Sequence, residues 1–429
     1  MDAKITFIPV KMRLPLKFGA ETIDSIQIAH ADVEAYGAAG QGETPLSVAW
    51  AWPSQLGFAV RENLMCSFCT MLAENLPQEK SDPMTVSYEF MEKTLPELLK
   101  KFNADNGCEM PHLAALICYS AFDIALHDAF GISKNLPTYK TYNADFMEHD
   151  LEYFFKDKKF AGVYPQDFFV AQIPETLPVW HLVGGKDLLC DSEKNGSEIV
   201  DGYPVTLEKW IERDGLKCLK IKLTGSDSEW DYQRLVSVGK IAIKYGCEAL
   251  SPDFNCLVKN VGYVNDILDK LQAEYPEIFA LIAYVEQPFP YDLEANKIDV
   301  HSCSERKDLF MDESAHDWKF VKLGYSLGWN GVALKVCKSQ TGALLSACWA
   351  KANNMKLMVQ DLTNPRFAQI PHVLLAAHVG TIKGVECNAP QFYPEASLDF
   401  EKIHPGLYER RNGVVVIKSL TGDGLSMKK

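Results

Sequence analysis

The sequence predicts an α/β chain in which a small α+β unit precedes a barrel of eight parallel strands. Two observations carry this. From residue 177 short apolar runs alternate with longer amphipathic stretches, the pattern of repeated β-then-α units around a parallel sheet. Before that point the order is different, with strand-like alternation first and helix-like spacing after it. The length of 429 residues agrees, since it exceeds one ordinary core and fits a barrel with an added domain.

The chain opens on KITFIPVKMRL and then SIQIAHADVEAYG, which alternate as strands do, with a Gly-containing break at Phe18 to Ala20. Helical spacing follows around residues 54 to 75, 84 to 103 and 111 to 130, so residues 1–135 are read as the α+β domain. Residues 141–174 are rich in aromatic and charged side chains with no regular period, and are expected to be an insertion or linker. Residues 175–390 hold the barrel. Its expected strands are LPVWHLV, CLKIKL, CEALSPDF, IAYVEQPF, DLFMDES, GVALKVC, KLMVQDL and GVECNAP, with helices such as TGALLSACWAKANN and QIPHVLLAAHVG between them. The tail, residues 391–429, lacks the alternation and is expected to pack back on the N-terminal domain and complete it.

Composition bounds the class without naming a function. Hydrophobic residues make up 47% and charged residues 23%, ordinary for a globular protein. The formal net charge of -14 argues against nucleic acid or an anionic membrane as partner, because such binding rests on clustered Lys and Arg. The N-terminal stretch MDAKITFIPVKMRLPLKF has no apolar run with a cleavage site after it, and no later segment is expected to span a bilayer. The twelve cysteines are scattered, as reduced thiols in a cytoplasmic enzyme would be. The pair Cys66 and Cys69 sits in a helix-like apolar stretch with no second pair nearby, so packing is expected of it and not metal or redox chemistry.

In barrels of this kind the active site lies where strands end, so polar residues closing an apolar run are the informative ones. Here successive strands supply Lys220 and Lys222, then Asp253 and Asn255, then Glu286, then Asp312 and Glu313, then Lys335. A lone carboxylate at a strand end is more often a helix cap or a loop ion pair. Asp253, Glu286 and Asp312 on three consecutive strands are different, because they can converge on one hard cation and leave positions open for substrate oxygens. Lys220 and Lys222 are two apart and share a face, and an ammonium beside Lys222 suits it to act as a general base. The same alternation puts Lys335 on the inner face and Lys338 on the other, so Lys338 is read as a surface residue and His316 as a loop residue.

Taken together, these motifs resemble the mandelate racemase and muconate lactonizing enzyme family of the enolase superfamily. The resemblance covers most of the chain: the turn Gly40, Gln41, Gly42, Glu43; the helix SAFDIALHDAFGISKNLPTYK; Lys-x-Lys at 220 and 222; Asp-x-Asn at 253 and 255; Glu286, Gln287, Pro288; and Asp312, Glu313, Ser314. It implies a modified TIM barrel, (β/α)7β, with an α+β capping domain. It also implies a Mg²⁺ site, with Mn²⁺ as the alternative, formed by Asp253, Glu286 and Asp312. Lys222 and Lys335 are implied as acid and base, with Lys220 as a charge stabiliser. The strand KLMVQDL has no His, so the resemblance points to the muconate lactonizing enzyme-like subgroup. Two departures matter. The lysine turn reads Ser339, Gln340, Thr341, Gly342 where the subgroup often has two glycines, and Glu386, Cys387, Asn388 stand where dipeptide epimerases usually carry Asp-x-Asp.

The expected reaction is removal of the proton α to a substrate carboxylate, followed by its return on the opposite face or by cycloisomerisation. Dehydration of an acid sugar or hydroxy acid is the alternative, and a metal-binding scaffold without turnover is a third. Lys17 and Phe18 at the hairpin break, Trp50 and Trp52 after the Gly-x-Gly-Glu motif, and Asn255 and Glu313 beside the carboxylates are the expected substrate contacts. The partner is a small-molecule carboxylate, and a homo-oligomer is left open.

Overall fold

Three antiparallel strands open the chain: β1 (Asp2–Phe18), β2 (Glu21–Ala35) and β3 (Ala38–Pro45), in the order β1-β2-β3. This is the computed structural model of the protein; it describes residues 1–18, 21–78 and 80–427, and of residues 16–18 and 21 the backbone only. Tyr36 and Gly37, both at positive φ (57° and 76°), make the two-residue turn from β2 to β3, the geometry that matches the twist of a hairpin. The motif expected as a turn at Gly40 to Glu43 lies inside β3 instead. Its glycines are there for close approach: a Cβ on Gly40 would stand 2.1 Å from the Ala125 carbonyl oxygen, and one on Gly42 2.1 Å from that of Ala121.

Those carbonyls belong to the helix His112–Lys134, which runs through the centre of the capping domain. By length and composition this helix could cross a membrane, contrary to expectation, yet its apolar window is wholly buried within the protein. A helix spans Phe58–Ala73. The helix expected at 84 to 103 is three segments, Pro83–Glu89, a π-helical turn at Phe90–Thr94, and Leu95–Asn106. Residues 138–168 form single turns at Thr138–Lys140, Leu151–Phe155, Lys158–Phe160 and Pro165–Phe168. Isolated turns generate no periodicity, but Tyr139, Tyr142, Phe154, Phe155 and Phe160 are buried in the same core as the barrel helices.

The barrel strands are β4 (Thr176–Val183), β5 (Cys218–Lys222), β6 (Ala249–Asp253), β7 (Val285–Glu286), β8 (Leu309–Met311), β9 (Gly331–Leu334), β10 (Lys356–Val359) and β11 (Val385–Glu386). They pair in parallel in the order β10-β9-β8-β7-β6-β5-β4-β11. The sheet curls until the N–H of Ile382, just before β11, reaches the Leu357 carbonyl of β10. A last strand, β12 (Val414–Val416), pairs antiparallel with the start of β4. The tail also touches the capping domain, where Phe392 and Tyr393 pack with Val10, Met12 and Ile28, and the Leu425 N–H donates to Asp128.

The interior is layered. Trp180, Cys218, Ala249, Tyr284, Phe310 and Met358 form an apolar floor. Because side chains of a strand point inward at every second residue, two positions further along comes the next inward layer: Lys220, Ser251, Glu286, Asp312 and Gln360. The floor keeps water from beneath, and the polar layer faces the C-terminal mouth.

Candidate active site

The upper layers hold one connected array of charges. Asp253 and Glu286 are direct partners in the β6–β7 register, and Lys222 is the partner of Asp253 across β5 and β6. The Lys220 ammonium stands 2.5 Å from Glu286 Oε1, 3.2 Å from Asp253 Oδ2 and 3.3 Å from Glu386 Oε2. Lys222 Nζ approaches Asp253 Oδ2 to 2.5 Å from the open side. At the other end of the row, Lys335 Nζ lies 3.4 Å from Asp312 Oδ1. The two lysines assigned as acid and base thus stand at opposite ends of the three carboxylates, with β6, β7 and β8 between their strands.

Burial and mutual charge set the protonation of these groups. Burial raises Glu286 well above the usual carboxylate range, with the nearby Asp253 charge adding to it. Burial pushes Asp253 the same way, but the ammoniums of Lys222 and Lys220 outweigh it and hold its carboxyl low. For Lys220, burial disfavours the charge and is overcome by Glu286, Glu386 and Asp253, so its pKa rises well above the ordinary lysine value. Lys335 behaves alike, with Asp312 overcoming burial. Gln360 links the halves: its Nε2 donates to Glu286 Oε2 (2.5 Å), while its Oε1 accepts from Lys335 (3.3 Å).

Gln287 braces the strand ends. Its Oε1 accepts from the Asp312 N–H at 2.7 Å and from the Ser314 hydroxyl at 2.7 Å, so the Glu-Gln-Pro and Asp-Glu-Ser motifs fix each other. Asn255, in left-handed conformation (φ 50°), turns the chain after β6 and donates its N–H to Asp253 Oδ1 at 2.9 Å. It acts on the site through its backbone.

Lys338 is buried, against the surface position expected of it. Strand alternation stops at Leu334, and residues 336–338 form a 3-10 turn. With about three residues per turn, positions i and i+3 eclipse, so Lys338 returns to the side of Lys335. Its ammonium donates to the carbonyls of Asp312 (2.6 Å) and Ala315 (3.0 Å) and stands 3.8 Å from Asp312 Oδ1. Burial lowers its pKa. Trp50 comes down from the capping domain over both lysines, its ring centroid 5.5 Å from Lys335 Nζ and 5.4 Å from Lys338 Nζ. The Trp50 Nε1–H donates to Glu313 Oε1 at 3.0 Å, and Glu313, pushed up by burial and by Asp312, keeps its other oxygen buried and unpartnered.

The remaining expected contacts divide. Trp52 packs in the capping core, its carbonyl accepting from Arg61. The side chains of Lys17 and Phe18 lie outside the described residues. His316 sits in the loop before the helix Trp318–Ser326. Cys69 is buried and donates to the Cys118 carbonyl, in keeping with packing. Gln360 and Asp361 were not anticipated, and Glu386 and Asn388 were noted only as a departure from Asp-x-Asp, without a place in the charge array. Asn388 Nδ2 donates to Glu386 Oε1 (2.5 Å) and its N–H to Asp361 Oδ2 (2.9 Å), so Glu386 is held between Asn388 and Lys220. The readable signal was the same as for the others: Gln360 and Glu386 close apolar strands.

Among the described residues no three His, Cys, Asp or Glu side chains stand close enough to hold a metal ion as they lie, because the lysines are interposed. The donor set itself suits a hard cation. It consists of carboxylate oxygens, and two of them, Glu286 Oε1 and Asp312 Oδ1, are buried with lysine ammoniums as their neighbours.

No family model matches the sequence, and no curated protein does. Solved structures do match over nearly the whole chain. A mandelate racemase/muconate lactonizing protein from Herpetosiphon aurantiacus is 16% identical with a TM-score of 0.63, over 98% of this chain and 96% of that one. A dipeptide epimerase from Enterococcus faecalis V583, complexed with Mg and the dipeptide L-Leu-L-Tyr, is 15% identical with a TM-score of 0.64, over 99% and 98%. The fold is that of the enolase superfamily. An N-succinyl Arg/Lys racemase from Bacillus cereus ATCC 14579 shares it at 16% identity and a TM-score of 0.64, over 99% and 94%. A capping domain over a TIM-like barrel is therefore what this chain has in common with racemases and epimerases.

Proposed function

We propose that the protein is an isomerase that removes and returns the proton α to a carboxylate, a racemase or epimerase in the first instance and a cycloisomerase by the same first step. The observation that carries this reading is the placement of Lys222 and Lys335 at opposite ends of the Asp253, Glu286, Asp312 row. A substrate carbon between them presents one face to each amine, so one lysine can take the proton and the other can supply one from the far side. Lys220, buried against Glu286 and Asp253, carries a fixed positive charge toward the negative charge that develops on the substrate carboxylate. Asp253, Glu286 and Asp312 would hold Mg²⁺, or Mn²⁺ in its place, which supplies Lewis-acid stabilisation of the enediolate.

The same contacts speak about the substrate. Glu386 is engaged by Lys220 and Asn388, which leaves no free acidic pair there for a substrate ammonium and argues against a dipeptide with a free amine. Trp50 closes the mouth above the lysines and excludes water from the amines. All twelve cysteines are free, which supports a reducing compartment such as the cytoplasm. The experiment is a screen of N-acyl amino acids, hydroxy acids and lactone-forming diacids in D₂O with Mg²⁺, read as deuterium at the α-carbon. Exchange that vanishes only when both lysines are replaced, each single variant keeping one enantiomer, supports the reading. Exchange that survives in Lys222→Ala, Lys335→Ala double variants sinks it.

A further inference from the structure

The turn that bears Lys335 and Lys338 is not held by the barrel alone. It ends at Ser339 with φ 145° and ψ 148°, a backbone region that side-chain-bearing residues enter only when their surroundings over-determine it. Ser339 Oγ accepts from the Gly342 N–H at 2.8 Å, which caps the next helix but does not fix the turn in space. That comes from the central helix of the capping domain. Ser120 Oγ donates to the Val336 carbonyl (2.9 Å), inside the turn. Asp123 accepts twice from Thr341, from its N–H at Oδ2 and from its hydroxyl at Oδ1, each at 2.9 Å. His127 Nε2 meets the same hydroxyl at 2.8 Å, and its Nδ1 meets the Tyr142 hydroxyl at 3.0 Å. Asp123, His127 and Thr341 are all fully buried.

The Thr341 hydroxyl donates to Asp123, and His127 Nε2 stands against both of them, with Asp123 Oδ1 at 3.4 Å. The Tyr142 hydroxyl on the other ring nitrogen of His127 also accepts from Gln340 Nε2 at 3.3 Å. Every partner lies on the capping domain, on residues 139–142 or on the lysine turn itself. We propose that Asp123 and His127 are positioning residues for the lysine turn, so that docking of the capping helix sets where the Lys335 and Lys338 ammoniums stand. Its meaning for catalysis rests on the reading of Lys335 as an acid or base.

The test uses the full chain and needs no substrate. Brief acetylation with acetic anhydride, resolved by peptide mass spectrometry, measures how often each buried lysine is exposed. Thr341→Val keeps the shape and removes the hydroxyl. It is expected to raise acetylation of Lys335 and Lys338 about tenfold, equivalent to ~1.4 kcal/mol of local opening. Lys220 and Lys222 should react as in the wild type, and Thr341→Ser should restore protection. Asp123→Ala should act like Thr341→Val; if it does not fold, Thr341→Val and Thr341→Ser decide the matter. Equal rises at all four lysines, no rise at any, or failure of Thr341→Ser to restore protection would overturn the proposal. Absence of α-proton exchange in the wild type would count against the proposed function and leave this result intact.

Discussion

Replacing Lys220 by Met tests the charge balance of the site directly. The ammonium stands 2.5 Å from Glu286 Oε1 and 3.2 Å from Asp253 Oδ2, which at an effective dielectric of ~20 corresponds to gross attractions of about 7 and about 5 kcal/mol. Burial of the lysine offsets much of this, so the net loss on removing one partner of such a buried array is ~3–5 kcal/mol. Over 429 residues at ~2.1 cal/mol/K each, the unfolding entropy is about 0.9 kcal/mol/K, and Tm should fall by roughly 3–6 °C. The second half of the prediction concerns Mg²⁺. In the wild type a cation must displace the ammonium from Glu286 and Asp253, whereas in Lys220→Met it meets a Glu286 without that counter-charge and an Asp253 with only Lys222 beside it. Added Mg²⁺ should therefore raise Tm more in the variant than in the wild type, as seen by calorimetry with and without the ion. A variant as stable as the wild type, or one whose Tm ignores Mg²⁺ while that of the wild type responds, would refute the reasoning.

Gly42→Ala should destabilise the capping domain by about 3 kcal/mol, the upper end for overpacking, because the new Cβ would meet the backbone of helix His112–Lys134 and not a movable side chain; urea unfolding would show it, and a shift below about 0.5 kcal/mol would contradict the packing argument. Lys338→Met leaves two carbonyls without their buried donor and should cost ~2–4 kcal/mol in the same assay; it should also tighten Mg²⁺ binding by calorimetric titration, since a positive charge 3.8 Å from Asp312 is gone. Trp50→Phe removes the hydrogen bond to Glu313 but keeps a ring over the lysines, so it should change KM or substrate preference while leaving Mg²⁺ affinity as it was; loss of Mg²⁺ binding in a folded variant would place Trp50 elsewhere in the account.

What was legible in the sequence follows from physics. A polar residue that closes a buried apolar strand has no packing reason to be there, so Lys220, Asp253, Glu286, Asp312 and Lys335 announced themselves, and the same rule would have found Gln360 and given Glu386 a place among them. Lys338 was misplaced because alternation was extended past Leu334, where the chain had already entered a 3-10 turn. Gly40 and Gly42 looked like a turn because glycine signals either turn or close approach, and only the neighbouring helix shows which. The segment around residues 138–168 had no period to read, being single turns pinned by aromatic side chains. The strand β12 was not read in the tail, where three valines are too short a run to show alternation and the partner, the start of β4, lies far away in sequence.

Whether Lys222 and Lys335 serve opposite faces of one carbon is decided by stereospecific exchange in D₂O. For a substrate whose enantiomers both exchange in the wild type, Lys222→Ala and Lys335→Ala should each lose net inversion but keep exchange of one enantiomer, because removal and return from one side need a single base. The two variants should keep opposite enantiomers, and Lys220→Ala should slow both alike. If both variants kept the same enantiomer, or if Lys338→Ala abolished inversion while Lys335→Ala left it intact, the two-base assignment would be contradicted.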